Sequence, residues 1–129
     1  MTNFDALIAR LEVATEGSAG LDAEIAEVVG WKHNASPNPN NPWHWKAPDG
    51  QGYVHPPFFS RSLDAALTLV PEGWTVARIN ENDDKTWACE LREGYLTSYT
   101  HVVFGGEKHK DATAALALCI AALKVRKAE

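Results

Sequence analysis

From Ala114 to Leu123 the chain reads Ala-Ala-Leu-Ala-Leu-Cys-Ile-Ala-Ala-Leu, without one charged or amide side chain. Ala and Leu are the strongest helix formers, and at 3.6 residues per turn this run circles the helix axis more than twice. The helix it predicts, Ala114 to Arg126, is apolar over much of its circumference. It is far short of the roughly 20 residues that span a bilayer. Such a helix must be buried by the rest of the chain: one side needs a sheet, and a second side calls for a cover as well. Asp111 or Thr113 is the expected cap, and Lys124, Arg126 and Lys127 complement the dipole in the last turns.

The remaining elements follow from spacing and turn chemistry. Phe4, Leu7, Ile8, Leu11 and Val13 mark a first helix, with Asn3 as N-cap and Gly17 to Gly20 as its end. Leu21, Ile25, Val28 and Val29 mark a second, with Asp22 and Glu24 in its first turn and Gly30 as its stop. His33 to Pro42 holds three prolines among asparagines and reads as an exposed loop. Trp43 to Ala47 alternates aromatic and polar residues, which predicts a strand with Trp43 and Trp45 on one face. Pro48-Asp49-Gly50 is a turn, and Gly52 to His55 returns as a paired strand before Pro56-Pro57. Ser62 caps a helix from Leu63 to Val70, stopped by Pro71. Strands are expected over Trp74 to Asn80, Thr86 to Arg92 and Leu96 to Phe104, with turns at 82–85 and at Gly94. The order is αα, β-hairpin, α, βββ, α. One α+β domain follows, an antiparallel sheet of about five strands with helices packed on its faces.

Length and charge narrow the functional classes. A chain of 129 residues suits one domain. With 12 Lys and Arg against 17 Asp and Glu, the formal net charge is −5. A protein that coats duplex nucleic acid needs a basic surface, so that class is excluded. The two cysteines, Cys89 and Cys119, form no CxxC pair and read as buried free thiols of a reducing compartment. The N-terminus carries no basic segment ahead of an apolar block, so no signal peptide is expected.

Three stretches resemble the phage ABA sandwich family of small tailed-phage and prophage proteins. They are Leu7 to Glu12 running on to Leu21 to Ala26, Ser62 to Leu67 ending in Val70-Pro71-Glu72-Gly73-Trp74, and Asp111 to Cys119. The aromatic pair before Pro48-Asp49-Gly50 is similar too. Two departures stand out: Ala114 where family members often carry Pro, and a longer, more Pro/Asn-rich loop at 33–42. The resemblance implies an α/β/α layered sandwich and a phage origin, hence the cytoplasm of an infected bacterial host. It brings no catalytic residues.

Two constellations suggest ligand binding. Gly105 and Gly106, followed by Lys108, His109 and Lys110 just before the last helix, have the makings of a phosphate cradle. The plainer reading is a flexible turn with a solvated charge run. Trp43 and Trp45, with Trp31, Tyr53, Phe58 and Phe59 nearby, offer flat surfaces for a base. Their plainer reading is that they anchor the sheet, as Trp74 and Trp87 do. The five histidines lack metal-ligand spacing, no nucleophile motif is present, and a Cys89–His101 pair has nothing to mark it as activated. The expected function is therefore a small non-enzymatic binding protein without a cofactor. It would sequester a nucleotide signal of bacterial anti-phage defence, of the cyclic oligonucleotide or cyclic ADP-ribose type, and homo-oligomerise. The alternatives are a protein that docks a host or virion protein through residues 33–45, and a hydrolase of a nucleotide signal.

Overall fold

The structure, a computed structural model, describes residues 4–14, 17–40, 42–83, 86–93, 99–105 and 114–128. Among the described residues four helices and six strands make an α+β fold in which every strand pairing is antiparallel. The helices are α1 (Phe4–Val13), α2 (Ala19–Val28), α3 (Leu63–Leu67) and α4 (Ala114–Ala128). The strands form two separate three-stranded sheets rather than one sheet of about five. The larger holds β4 (Trp74–Glu81), β5 (Thr86–Glu93) and β6 (Tyr99–Gly105), in that order. The smaller is a ribbon of β1 (Lys32–His33), β2 (Trp45–Lys46) and β3 (Gly52–Tyr53). The chain leaves β3 through Pro56-Pro57, which lacks the N–H donors a ladder needs, and α3 then intervenes before β4.

Helix α4 is the centre of the molecule. It packs against β4, β5 and β6 on one side and against α1 and α3 on another. Every residue from Ala115 to Leu123 is buried, and so is Val125. Cys89 and Leu91 of β5 and Leu7, Ile8 and Leu11 of α1 complete its surroundings, with Ile25, Phe59, Ala66 and Leu69. The apolar circumference read from the sequence thus has its two covers, a sheet and a layer of helices. Among the described residues the order of layers is sheet, α4, then α1 and α3. The face of the larger sheet turned from α4 carries Thr75, Arg78, Asn80, Glu90 and Arg92, as the register Thr75↔Arg92, Arg78↔Glu90 and Asn80↔Ala88 requires. The shift between Val76 and Arg78 lets Val76 and Ile79 both face the core.

Local chemistry sets the other boundaries. Ser18 Oγ accepts from the Leu21 N–H at 3.1 Å, so α2 begins earlier than its apolar spacing predicts. Ser62 caps α3 as expected, its Oγ accepting from Ala65 N. The α-helix ends at Leu67, short of Val70, because the N–H groups of Thr68, Leu69 and Val70 bond carbonyls three residues back. Pro71 favours that ending, since the residue before a proline is disfavoured in the α conformation.

Candidate functional site

The ribbon is built around residues that the sequence places far apart. Helix α2 ends with the Trp31 N–H donating to Ala26 O at 2.9 Å, and β1 starts one residue later. The register His33↔Trp45↔Tyr53 and Lys32↔Lys46↔Gly52 puts one row of side chains on each side. Trp45 faces inward and is buried, with the His33 ring 4.8 Å away. Trp31 and Tyr53 make a second tilted pair at 5.3 Å. The opposite row holds Lys32 and Lys46 side by side in register.

Trp43 belongs with the lysines. A Cβ on Gly52 would lie 2.6 Å from Trp43 Cβ, so the indole crosses the strand where β3 has no side chain. The Lys46 Nζ sits 5.7 Å from the centre of the Trp43 ring, within cation–π range. Trp43 and Trp45 therefore leave the ribbon on opposite sides, not on one face as strict alternation predicts. Trp43 lies outside β2, and alternation fails there.

The loop beyond β1 is held at its base. Asn34 N donates to His44 O at 2.8 Å, and Asn34 Nδ2 donates to Trp43 O at 2.8 Å. Asn34 Oδ1 and Asn38 Oδ1 accept from the N–H groups of Ser36 and Asn40, each two residues on. These are Asx turns, the local chemistry for which asparagine is suited. Residues 35–40 are exposed along the whole excursion.

A second polar centre lies where α2 meets the segment before α3. Asp22 is buried and accepts four hydrogen bonds. Its Oδ1 takes Ser60 N at 2.7 Å and Ser60 Oγ at 2.6 Å, and its Oδ2 takes Arg61 Nε at 3.0 Å and Nη2 at 2.8 Å. The Arg61 guanidinium rests 4.2 Å from the Phe58 ring centre, and the His55 ring stacks on Phe58 at 4.7 Å.

No family model, curated protein or solved structure matches the chain.

The expected site residues are thus distributed unevenly. Gly105 ends β6, paired with Thr86. Gly106, Lys108, His109 and Lys110 lie outside the described residues. Trp43 and Trp45 flank the ribbon as described. Sequence reasoning missed Lys32, Lys46, Asp22, His55 and Arg61. For Lys32 and Lys46 the signal existed: both lie beside tryptophans at either end of the Pro/Asn loop. The partnership of Asp22 with Ser60 and Arg61 spans some forty residues and leaves no local trace.

The thiols are set apart from solvent. Cys89 and Cys119 are free and buried. Burial raises the Cys89 pKa from 9.0 to about 11. Burial raises that of Cys119 further, with the Asp22 and Cys89 charges adding to it, and its Sγ donates to Phe59 O at 3.0 Å. A nucleophilic cysteine needs the opposite shift. Among the described residues no His, Cys, Asp or Glu group could hold a metal ion, and no helix is long and apolar enough to cross a membrane.

Proposed function

We propose that this chain is a non-enzymatic binding protein for a planar anionic ligand of the nucleotide class, held on the Trp43 face of the ribbon. The observation that carries it is the half-buried Trp43 indole with the Lys46 ammonium 5.7 Å from the ring centre and Lys32 in register beside Lys46. A base that displaces the Lys46 ammonium from the indole face stacks on the ring, and the displaced ammonium with Lys32 on the same row takes phosphates. This suits a net charge of −5, because a small anion needs only local cations. In this reading Gly105, Gly106, Lys108, His109 and Lys110 supply further phosphate contacts. The resemblance to phage ABA sandwich proteins supports the biological half of the proposal. The chain would sequester a cyclic nucleotide signal of host defence, in the cytoplasm of the infected bacterium, as a homo-oligomer.

The test is a tryptophan-fluorescence titration with cyclic oligonucleotides and cyclic ADP-ribose isomers, followed by heat release of the ligand. Recovery of intact ligand supports sequestration; altered ligand means catalysis. Trp43→Ala should weaken binding roughly five- to 150-fold, since a stacked base is worth about 1–3 kcal/mol. If no nucleotide changes the fluorescence or the melting temperature, the reading fails. A second reading then stands on a separate observation: Tyr53 and Val54 are exposed, and so is every residue from 35 to 40, as suits a protein partner.

A further inference from the structure

Beside the Asp22–Arg61 pair lies a recess of about 140 Å³, lined by Ala19, Asp22, His55, Pro56, Phe58 and Arg61. We propose that it is a binding site for a single carboxylate group carried on a small apolar body. The site is separate from the Trp43 face and does not depend on the function proposed for it.

The argument starts from the donors of Arg61. A guanidinium carries five N–H groups in a rigid fork. Asp22 takes the Nε proton and one Nη2 proton, and both go to the same oxygen, Oδ2. The outer edge, with one proton on Nη1 and one on Nη2, has no partner among the described residues. Its two parallel N–H groups can meet two oxygens bidentately. It is also held in place: Asp22 is anchored by Ser60 through two further hydrogen bonds, and the guanidinium rests on Phe58 at 4.2 Å. The Arg61 side chain keeps 40% of its surface exposed, so an approaching anion can reach it.

The ligand class follows from charge and shape. Asp22 already neutralises Arg61, so each further negative charge is repelled there and a monoanion is favoured over a dianion, its hold resting on the hydrogen bonds of the free edge. One free edge satisfies two oxygens, not the three of a phosphate monoester. A carboxylate is planar, carries one charge and matches that edge. The Phe58, Pro56 and Ala19 walls then accept an apolar group beside it. The volume is well below the roughly 300 Å³ at which drug-sized pockets begin, so the body must be small. His55 Nδ1 lies 2.8 Å from Pro56 O, and a carbonyl can only accept, so Nδ1 carries a proton. The ring is thereby fixed against Phe58 as a further wall.

The experiment is a nuclear magnetic resonance titration of the whole chain, following the amides of residues 55–61. The probes are propionate, inorganic phosphate, and the peptide Gly-Gly-Val with a free or an amidated C-terminus, each against chloride at equal ionic strength. Saturable shifts with propionate or the free peptide, and none with the amidated peptide, are the expected result. Tighter binding of the free peptide assigns the source as a chain terminus, and tighter binding of propionate a free small acid. Arg61→Lys keeps the charge but loses the fork, and should weaken binding at least about tenfold. Phe58→Leu leaves the ion pair in place and should weaken binding several-fold. No saturable shift with either carboxylate, tighter binding of phosphate, or an unchanged affinity in a folded Arg61→Lys chain overturns the proposal.

Discussion

Gly17 has no room for a side chain: a Cβ there would lie 2.1 Å from the Ser60 carbonyl oxygen. The contact is backbone to backbone, so neither side can yield cheaply. Gly17→Ala should destabilise the fold by more than an ordinary surface change, at least about 2 kcal/mol, read as a lower urea midpoint. The reason for the close approach is Asp22, which draws Ser60 and Arg61 onto the start of α2. Removing a buried partner costs about 3–5 kcal/mol, because the groups left behind lose their hydrogen bonds in a dry site. Asp22→Ala strands the Ser60 N–H, whereas the Ser60 hydroxyl keeps Ser18 O as an acceptor at 3.1 Å and the half-exposed Arg61 turns to water, so the cost should fall at the lower end of that range. Asp22→Asn keeps one carbonyl acceptor and should cost less; equal losses in the two variants would mean that charge alone matters. Gly52 is the other constrained glycine. Gly52→Ala would drive a methyl against Trp43 Cβ and push the indole off the strand. The expected sign is a changed Trp emission maximum and, under the proposed function, weakened nucleotide binding, while the thermal midpoint moves little because Trp43 lies outside the buried core.

At the scale of elements, α4 carries the fold. Leu118 is fully buried between sheet and helices, and Leu118→Ala should cost about 2–5 kcal/mol by the loss of packing and the cavity left behind. The same change at Leu67, which is 42% exposed, should cost under about 1 kcal/mol; similar midpoints for the two variants would contradict the burial. How far the elements were legible depended on length. The spans of α1, β4 and β5 could be read from the chain because eight or more residues repeat one period, and that of α4 because an unbroken Ala/Leu-rich run fits only a helix covered on more than one side. Helix α2 needed its cap, and Ser18 hides between glycines that signal a break. The ribbon was half legible: Pro48-Asp49-Gly50 announces the β2–β3 turn, but β1 is two residues long and has no period to detect. Its pairing with β2 crosses an eleven-residue gap, and so the division into two sheets was invisible. The site suffered for the same reason. Trp43 and Trp45 were identifiable as residues, but which way each points is decided by Gly52 on a third strand.

For the whole molecule, the two thiols make stability depend on alkaline pH. Both lie where α4 meets the rest of the core, and burial disfavours their charged forms. The unfolded chain releases these protons near the ordinary thiol value of 9.0, whereas folded Cys89 keeps its proton to about 11. Between those values the native state binds more protons than the unfolded state, and stability then falls as pH rises. Each thiol contributes a slope of about 1.4 kcal/mol per pH unit in that window. The fold should be insensitive to these groups below pH 8 and lose stability steadily from pH 9 to 11. Cys89→Ala with Cys119→Ala removes the linkage at the cost of some packing. Urea midpoints measured from pH 7 to 11 should fall along a shallower line in the double variant than in the parent chain. Equal slopes would show that other groups, such as the lysines, set the alkaline limit. A thiol reagent at pH 8 gives the independent check: the native chain should react only as fast as it opens, and the urea-unfolded chain at once.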